Sequence, residues 1–217
     1  MNSRQAFDAS LLELMDAIIH MGRLSTNALD LALKALQTGD GALAKQVIED
    51  DQTIDELERE IEQDCLRLLL RQQPVAGDLR KISTAIKMIT DIERIADAAV
   101  DIAEISLFLP TGIFPEIADD LTAMANAARN MASDAISAYV HEDEVLAQKV
   151  CQADDVVDDL FMKIRAVLGE KMRGDTSIMG AVMDHLMIIK YLERIGDHAE
   201  NISEWVIFYK TGIRKKD

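Results

Sequence analysis

The sequence predicts an all-α protein: two pseudo-symmetric antiparallel three-helix bundles, six long helices in all. Three observations predict it. Only three prolines and ten glycines interrupt 217 residues, and aromatics make up just 4%, leaving Ala, Leu, Ile and Met as the bulk. That composition favours long helices over strands. Apolar residues recur at spacings of three and four almost throughout. Finally, Glu-Arg-Ile-x-Asp begins at Glu93 and again at Glu193, one hundred positions later.

The elements follow in order. The first helix is expected from Arg4 to Thr38, with Phe7, Leu11, Leu14, Ile18 and Met21 on one face. Gly39-Asp40-Gly41 supplies a stop and a cap. The second helix runs from Ala42 to Gln72, facing inward with Ile54, Leu57, Ile61, Cys65 and Leu68. Pro74 breaks it. A third helix covers Ala76 to Leu109, with Asp78 as its expected cap and Arg80 expected to pair with an acid. "PTGIFPE", from Pro110, holds two of the three prolines and is the best internal boundary. The pattern then restarts: Glu116 to Val140, Asp143 to Arg173, and Asp175 to Thr211.

The domain division is therefore 1–110, a linker at 111–115, and 116–217. Glu93, Arg94, Ile95, Asp97, Ala99, Ile102 and Glu104 each recur one hundred positions later. Upstream, Asp51, Asp55, Leu57 and Ile61 align with Asp154, Asp158, Leu160 and Ile164 at an offset of 103. The first half thus carries three extra residues near "RQQPVAGDLR".

Charge and composition exclude several functions. The formal charge is −16, with 39 acids against 23 Lys plus Arg. Nucleic-acid binding needs clustered cations, and anionic membranes repel such a chain. The basic tail Arg214-Lys215-Lys216 is too short to reverse this and reads as a solvated end. No uninterrupted apolar run reaches 18 residues, so no membrane insertion is expected. Met1 to Ser10 lacks a signal-peptide pattern, and Cys65 and Cys151 lack C-x-x-C spacing and read as small core residues. A reduced, cytoplasmic setting is the simplest reading.

The acids are the unusual feature. Residues four apart share a helix face. Glu93 and Asp97 form one row, extended by Asp101 and Glu104, and Glu193, Asp197, Asn201 and Glu204 form its counterpart. Asp51 with Asp55, and Asp154 with Asp158, give matching pairs on the second and fifth helices. About seven acid pairs at this spacing are expected by chance, so one pair means nothing; aligned recurrence in both halves means more. Two readings stay open: a surface salt-bridged by Arg94 and Arg194, or carboxylates holding bound cations. Oxygen donors suit Mg²⁺, Ca²⁺, Mn²⁺ or ferric iron, with Mg, Mn or Fe foremost, rather than thiolate-bound zinc. His198 lies about 140° around the helix from Glu193 and is expected to pack or face solvent.

Catalysis has no visible constellation. A ferritin-like di-iron site needs Glu-x-x-His on two helices. Here Ala17, Ala138, Val182 and Ile195 stand three before His20, His141, His185 and His198. Phosphate-loop and nucleophile-elbow motifs are missing too. The chain reads as a binding protein, not an enzyme; the alternative is a metal-storage or redox protein built on the same carboxylates.

These residues resemble a family: the PhoU-type phosphate transport regulators of bacteria. The resemblance rests on "ALDLALKALQTGD", "DQTIDELEREIE", "RQQPVAGDLRKI", "DIERIADAAVDIAE" and "YLERIGDHAENISEWVIFYKTG", and spans almost the whole chain. It implies two three-helix bundles with metal clusters on E/D-x-x-x-D motifs, here Asp51/Asp55, Glu93/Asp97, Asp154/Asp158 and Glu193/Asp197. It also implies a homodimer that damps the phosphate-starvation response. As an adaptor it would link the ATPase subunit of the high-affinity phosphate ABC transporter with a sensor histidine kinase. The halves differ from each other. Ala96 stands for Gly196, Ala98 for His198 and Asp101 for Asn201, so unequal cation occupancy is expected.

Overall fold

A computed structural model describes residues 3–72, 76–109 and 112–213. Among the described residues there are six α-helices: α1 (Ser3–Thr38), α2 (Gly41–Gln72), α3 (Ala76–Phe108), α4 (Ala118–His141), α5 (Glu144–Gly174) and α6 (Met179–Thr211). A single 3₁₀ turn, Thr176–Ile178, precedes α6. The turn at Pro74, the first two residues of the "PTGIFPE" boundary and the basic tail at Arg214 lie outside the described residues.

The helix ends form where local chemistry stops or caps the ladder. Gly39 takes φ +68°, which ends α1, and the Asp40 carboxylate then accepts from the Ala42 and Leu43 amides to start α2. Asp143 caps α5 by accepting from the Leu146 amide. Asp78 lies within the first turn of α3, where the helix dipole favours an anion. It is nearly buried, and Arg4 donates two hydrogen bonds to it at 2.7 and 3.2 Å. That contact ties the start of α1 to the start of α3.

Helices α1, α2 and α3 pack on one another, as do α4, α5 and α6. The expected face of α1, from Phe7 to Met21, is buried, as are Ile54, Ile61, Cys65 and Leu68 of α2. Leu57 is only half-buried, and so is Cys151, which is not a core residue as expected. The two bundles join along α3–α6, with a smaller contact between α1 and α4. Gly22 marks that smaller contact: a Cβ there would lie 2.9 Å from the Ile136 side chain. One hydrophobic core runs through both halves.

The boundary segment is packed as well. α4 begins at Ala118, two residues later than expected, because residues 115–117 form a turn closed by the Ile117 amide on the Phe114 carbonyl. Phe114 stacks on His185 with ring centroids 4.3 Å apart. The Phe114 amide donates to His185 Nε2, and His185 Nδ1 lies 2.6 Å from the Ala181 carbonyl. A neutral ring protonated at Nδ1 satisfies both bonds, and burial pushes the His185 pKa down to match.

Candidate metal-binding grooves

Each bundle has a groove where its second and third helices meet, and the acids fall there because a four-residue step keeps them on one face. In the first groove α2 brings Asp51 and Asp55, and α3 brings Glu93 and Asp97. One carboxylate oxygen from each of Asp51, Asp55 and Asp97 lies within 4.8 Å of the others. Partial burial and the neighbouring charges of Asp55 and Asp97 push Asp51 up to about 6. Desolvation, then Asp97, push Glu93 up to about 7 against the pull of Arg94. Glu93 has a side chain only 15% exposed, and its buried Oε2 accepts no hydrogen bond. Arg94 reaches that oxygen only at 3.3 Å, while donating to Asp97 Oδ2 at 2.9 Å. The arginine therefore answers part of the negative charge from the exposed side.

The second groove lies between α5 and α6. Desolvation pushes Asp154 up to about 7, with Glu200, Asp158 and Asp197 adding repulsion. Asp197 is raised by burial first and by Glu193 second. Lys190, an exposed side chain, pairs with Glu193 and supplies a cation at the edge of this groove. Gly196 shapes the site: a Cβ at that position would lie 3.0 Å from Asp154 Oδ1. The missing side chain lets the α5 carboxylate approach the α6 backbone. Among the described residues, the three-oxygen cluster within 4.8 Å occurs in the first groove alone.

Two expected members of the rows lie elsewhere. Eight residues along a helix amount to a rotation of about 80°, so Asp101 and Asn201 turn away from the grooves toward the α3–α6 seam. Asp101 hydrogen-bonds Tyr191 and lies near Arg194. Asn201 donates to Asp91 at 3.4 Å, beside His198, whose Nδ1 is 2.9 Å from the same oxygen. The two contacts are one contact seen twice. Positions 91 and 191 are equivalent, as are 101 and 201, so the pseudo-twofold exchanges Asp101–Tyr191 with Asn201–Asp91. His198 packs on this seam, as expected.

Sequence reasoning missed Glu58 and Glu200. The Thr90 hydroxyl donates to Glu58 at 3.5 Å, and Glu58 is raised by desolvation first and by Glu62 second. Glu58 is three positions after Asp55 and Glu200 three after Asp197, a spacing that keeps a helix face. Also missed was a stripe of exposed methionines on α6, Met179, Met183 and Met187, legible as a four-residue repeat on the face opposite the core.

The sequence profile of the PhoU domain matches residues 18–106 and again 121–206. The chain belongs to the PhoU family. The two matches correspond to the two bundles. Relatives include the phosphate-specific transport system accessory protein PhoU homolog of Clostridium acetobutylicum, 36% identical over 97% of this chain and 96% of that one. PhoU homolog 1 of Thermotoga maritima is also 36% identical, over 97% of this chain and 91% of its own. The crystal structure of PhoU from Pseudomonas aeruginosa superposes with a TM-score of 0.92 at 34% identity, covering 95% of this chain and all of that one. The phosphate transport system regulatory protein PhoU from Streptococcus pneumoniae gives 0.89 at 28% identity, covering 97% and 100%. PhoU proteins are regulatory accessory proteins, not enzymes. No helix among the described residues is long and apolar enough to cross a membrane.

Proposed function

We propose that this chain is a cytoplasmic negative regulator of the phosphate-starvation response and of phosphate uptake. It acts as a metal-binding adaptor between the ATPase subunit of the phosphate transporter and a sensor histidine kinase, and works as a homodimer. The PhoU family membership supports the pathway, and relatives are named for the phosphate-specific transport system. The observation that carries the metal reading is the first groove. Three carboxylates converge there beside a buried Glu93 oxygen that accepts no hydrogen bond and is met by Arg94 only at 3.3 Å. A hard cation such as Mg²⁺, Mn²⁺ or iron would be held by Asp51, Asp55, Glu93 and Asp97, and in the second half by Asp154, Asp158, Glu193 and Asp197. When bound, it would supply positive charge that relieves their repulsion.

The adaptor role draws support from the surface. Met179, Met183 and Met187 are each about half exposed and spaced one turn apart, giving α6 a flexible apolar stripe suited to a partner helix. A pull-down of the tagged chain at high and low phosphate, analysed together for partners and bound metal, tests the proposal. Co-purification of the transporter ATPase and the kinase with metal-loaded protein is expected. Oxygen-dependent iron turnover without either partner would instead favour a storage or redox protein.

A further inference from the structure

The chain carries a surplus of sixteen negative charges, yet one cavity is cationic. It has a volume of about 280 Å³ and lies where the start of α3 meets the ends of α4 and α6. Its lining is Gly77, Arg80, Lys81, Glu142, Tyr209 and Lys210. Glu142 is the one acid in that lining, and both its oxygens are engaged. Tyr209 donates to one at 2.7 Å and Lys210 to the other at 2.9 Å. These bonds hold the Glu142 carboxyl below its usual range.

Arg80 and Lys81 have no such partner. Lys81 lies over the Tyr209 ring at 5.6 Å. Arg80 lies against Gly212, the left-handed residue that ends α6; a Cβ there would come within 2.7 Å of its Nη1. Neither cation reaches a carboxylate among the described residues, so the expected pairing of Arg80 with a nearby acid is not observed. Both are half-buried; Lys81 lies near enough to Glu142 for its charge to help lower that carboxyl, but it makes no ion pair with it. The pair is also particular to one half. At the offset that maps Glu93 onto Glu193, Gly180 and Ala181 replace Arg80 and Lys81. The repeated scaffold therefore does not require it.

We propose that this cavity is an anion site for a phosphate group, separate from the acidic grooves and independent of their metal. A guanidinium fork and two ammonium groups, less one neutralised carboxylate, leave about two positive charges, which suits a phosphate dianion. The group comes either as free inorganic phosphate or as a phosphomonoester, and the volume admits both.

Calorimetric titration of the full chain, with EDTA present to keep groove cations from bridging to phosphate, distinguishes these. Arms with inorganic phosphate, AMP and sulfate are run on wild type, K81Q and R80Q/K81Q. Saturable one-to-one binding of phosphate or AMP is expected, weakened about tenfold in K81Q and abolished in R80Q/K81Q. Preference for phosphate identifies the free ion; preference for AMP identifies an ester. Arg80 also sits at the C-terminal end of α6, so circular dichroism checks the fold, and K81Q leaves that contact intact. No saturable heat with either phosphate compound, equal binding by K81Q, or a sulfate response as strong as phosphate would overturn the site. Metal content of the same samples is measured without EDTA, so failure here leaves the groove proposal standing.

Discussion

Positions 96 and 196 are equivalent in the two bundles and differ by one methyl group. Ala96 is fully buried in α3, whereas Gly196 leaves a space into which the Asp154 carboxylate leans. A second difference lies nearby. Where the first groove has Glu58 accepting from Thr90, the aligned positions in the second carry Phe161 and Lys190, with the ammonium 5.7 Å from the ring centroid. The first groove is thus richer in acids on α2 and is answered by Arg94 from outside. The second brings its acids closer to the helix backbone and holds Lys190 against Glu193. A duplicated scaffold can keep carboxylates at the same addresses and still build two different electrostatic sites.

The largest expected effect concerns a residue present in only one half. His185 is fully buried, and the equivalent residue in α3 is Ala85. H185A removes the ring stacked on Phe114 and leaves the Phe114 amide without its acceptor. A loss of about 3 kcal/mol is expected by chemical denaturation. A loss below about 1 kcal/mol would mean that the boundary segment contributes little to the second bundle.

Acidity should act on the two features in opposite directions. Asp51 is raised from 3.8 to about 6, Glu93 from 4.5 to about 7 and Asp154 from 3.8 to about 7. The folded state therefore keeps protons that the unfolded state has already released. Their stabilisation of the metal-free chain is complete below about pH 4 and is lost as pH rises through 6 to 7. His185 works the other way: its pKa is lowered from 6.5, so its contribution is complete above that value and declines as pH falls below it. Thermal melts of chelated protein should show stability falling between pH 5 and 8, steeply in wild type and less steeply in D154N. H185A should deepen that fall by removing the opposing slope. A flat profile in chelated wild type would mean that the grooves carry no strain for a cation to relieve.

How much of this was legible beforehand follows from what a period can and cannot encode. Helix number, their faces and the aligned acid pairs are properties of spacing, and Phe7, Ile61, Asp55 and Asp97 fall where spacing puts them. Asp101 and Asn201 were misplaced because a row of i,i+4 steps drifts by about 40° at each step. Two steps are enough to carry a side chain from the groove to the α3–α6 seam. The engagement of Asp91 by His198 and Asn201, and the cavity around Arg80, depend on which helix of one bundle meets which helix of the other. Hydrophobic periodicity marks a buried face without naming its partner.

Exchanging the methyl tests the comparison at intermediate scale. A96G places glycine inside a helix and removes a buried methyl, so a loss of about 1 to 2 kcal/mol is expected with first-groove metal content unchanged. G196A gains up to about 1 kcal/mol of helix propensity but sets its methyl against Asp154. That carboxylate is the end of a side chain and can rotate away. Net stability should change by less than about 1 kcal/mol while the second groove loses metal. Elemental analysis of G196A in a D51N/D55N/E93Q/D97N background, where the second groove alone keeps its four acids, gives the direct reading. Retained metal in that background would show that the close approach at Gly196 serves packing alone.

The smallest expected effect separates cation capture from salt bridging. E193Q/D197N removes two like charges one turn apart, whose mutual repulsion costs a helix about 0.2–0.5 kcal/mol. It also removes the partner of Lys190, but that ammonium is nearly half exposed, and pairs of that kind contribute about 0 to 1 kcal/mol. If the acids are there to hold a cation, metal-free stability rises by a few tenths of a kcal/mol while metal content falls by the second groove's share. If they are there to hold Lys190, metal-free stability drops and metal content stays as in wild type. The stability change alone is close to the error of a denaturation curve, so the paired metal measurement decides. Repeating the pair in the first groove with E93Q/D97N adds the contrast: burial and Asp97 raise Glu93 to about 7 even with Arg94 spanning both acids, so the gain in metal-free stability near neutral pH should be larger than in the second groove.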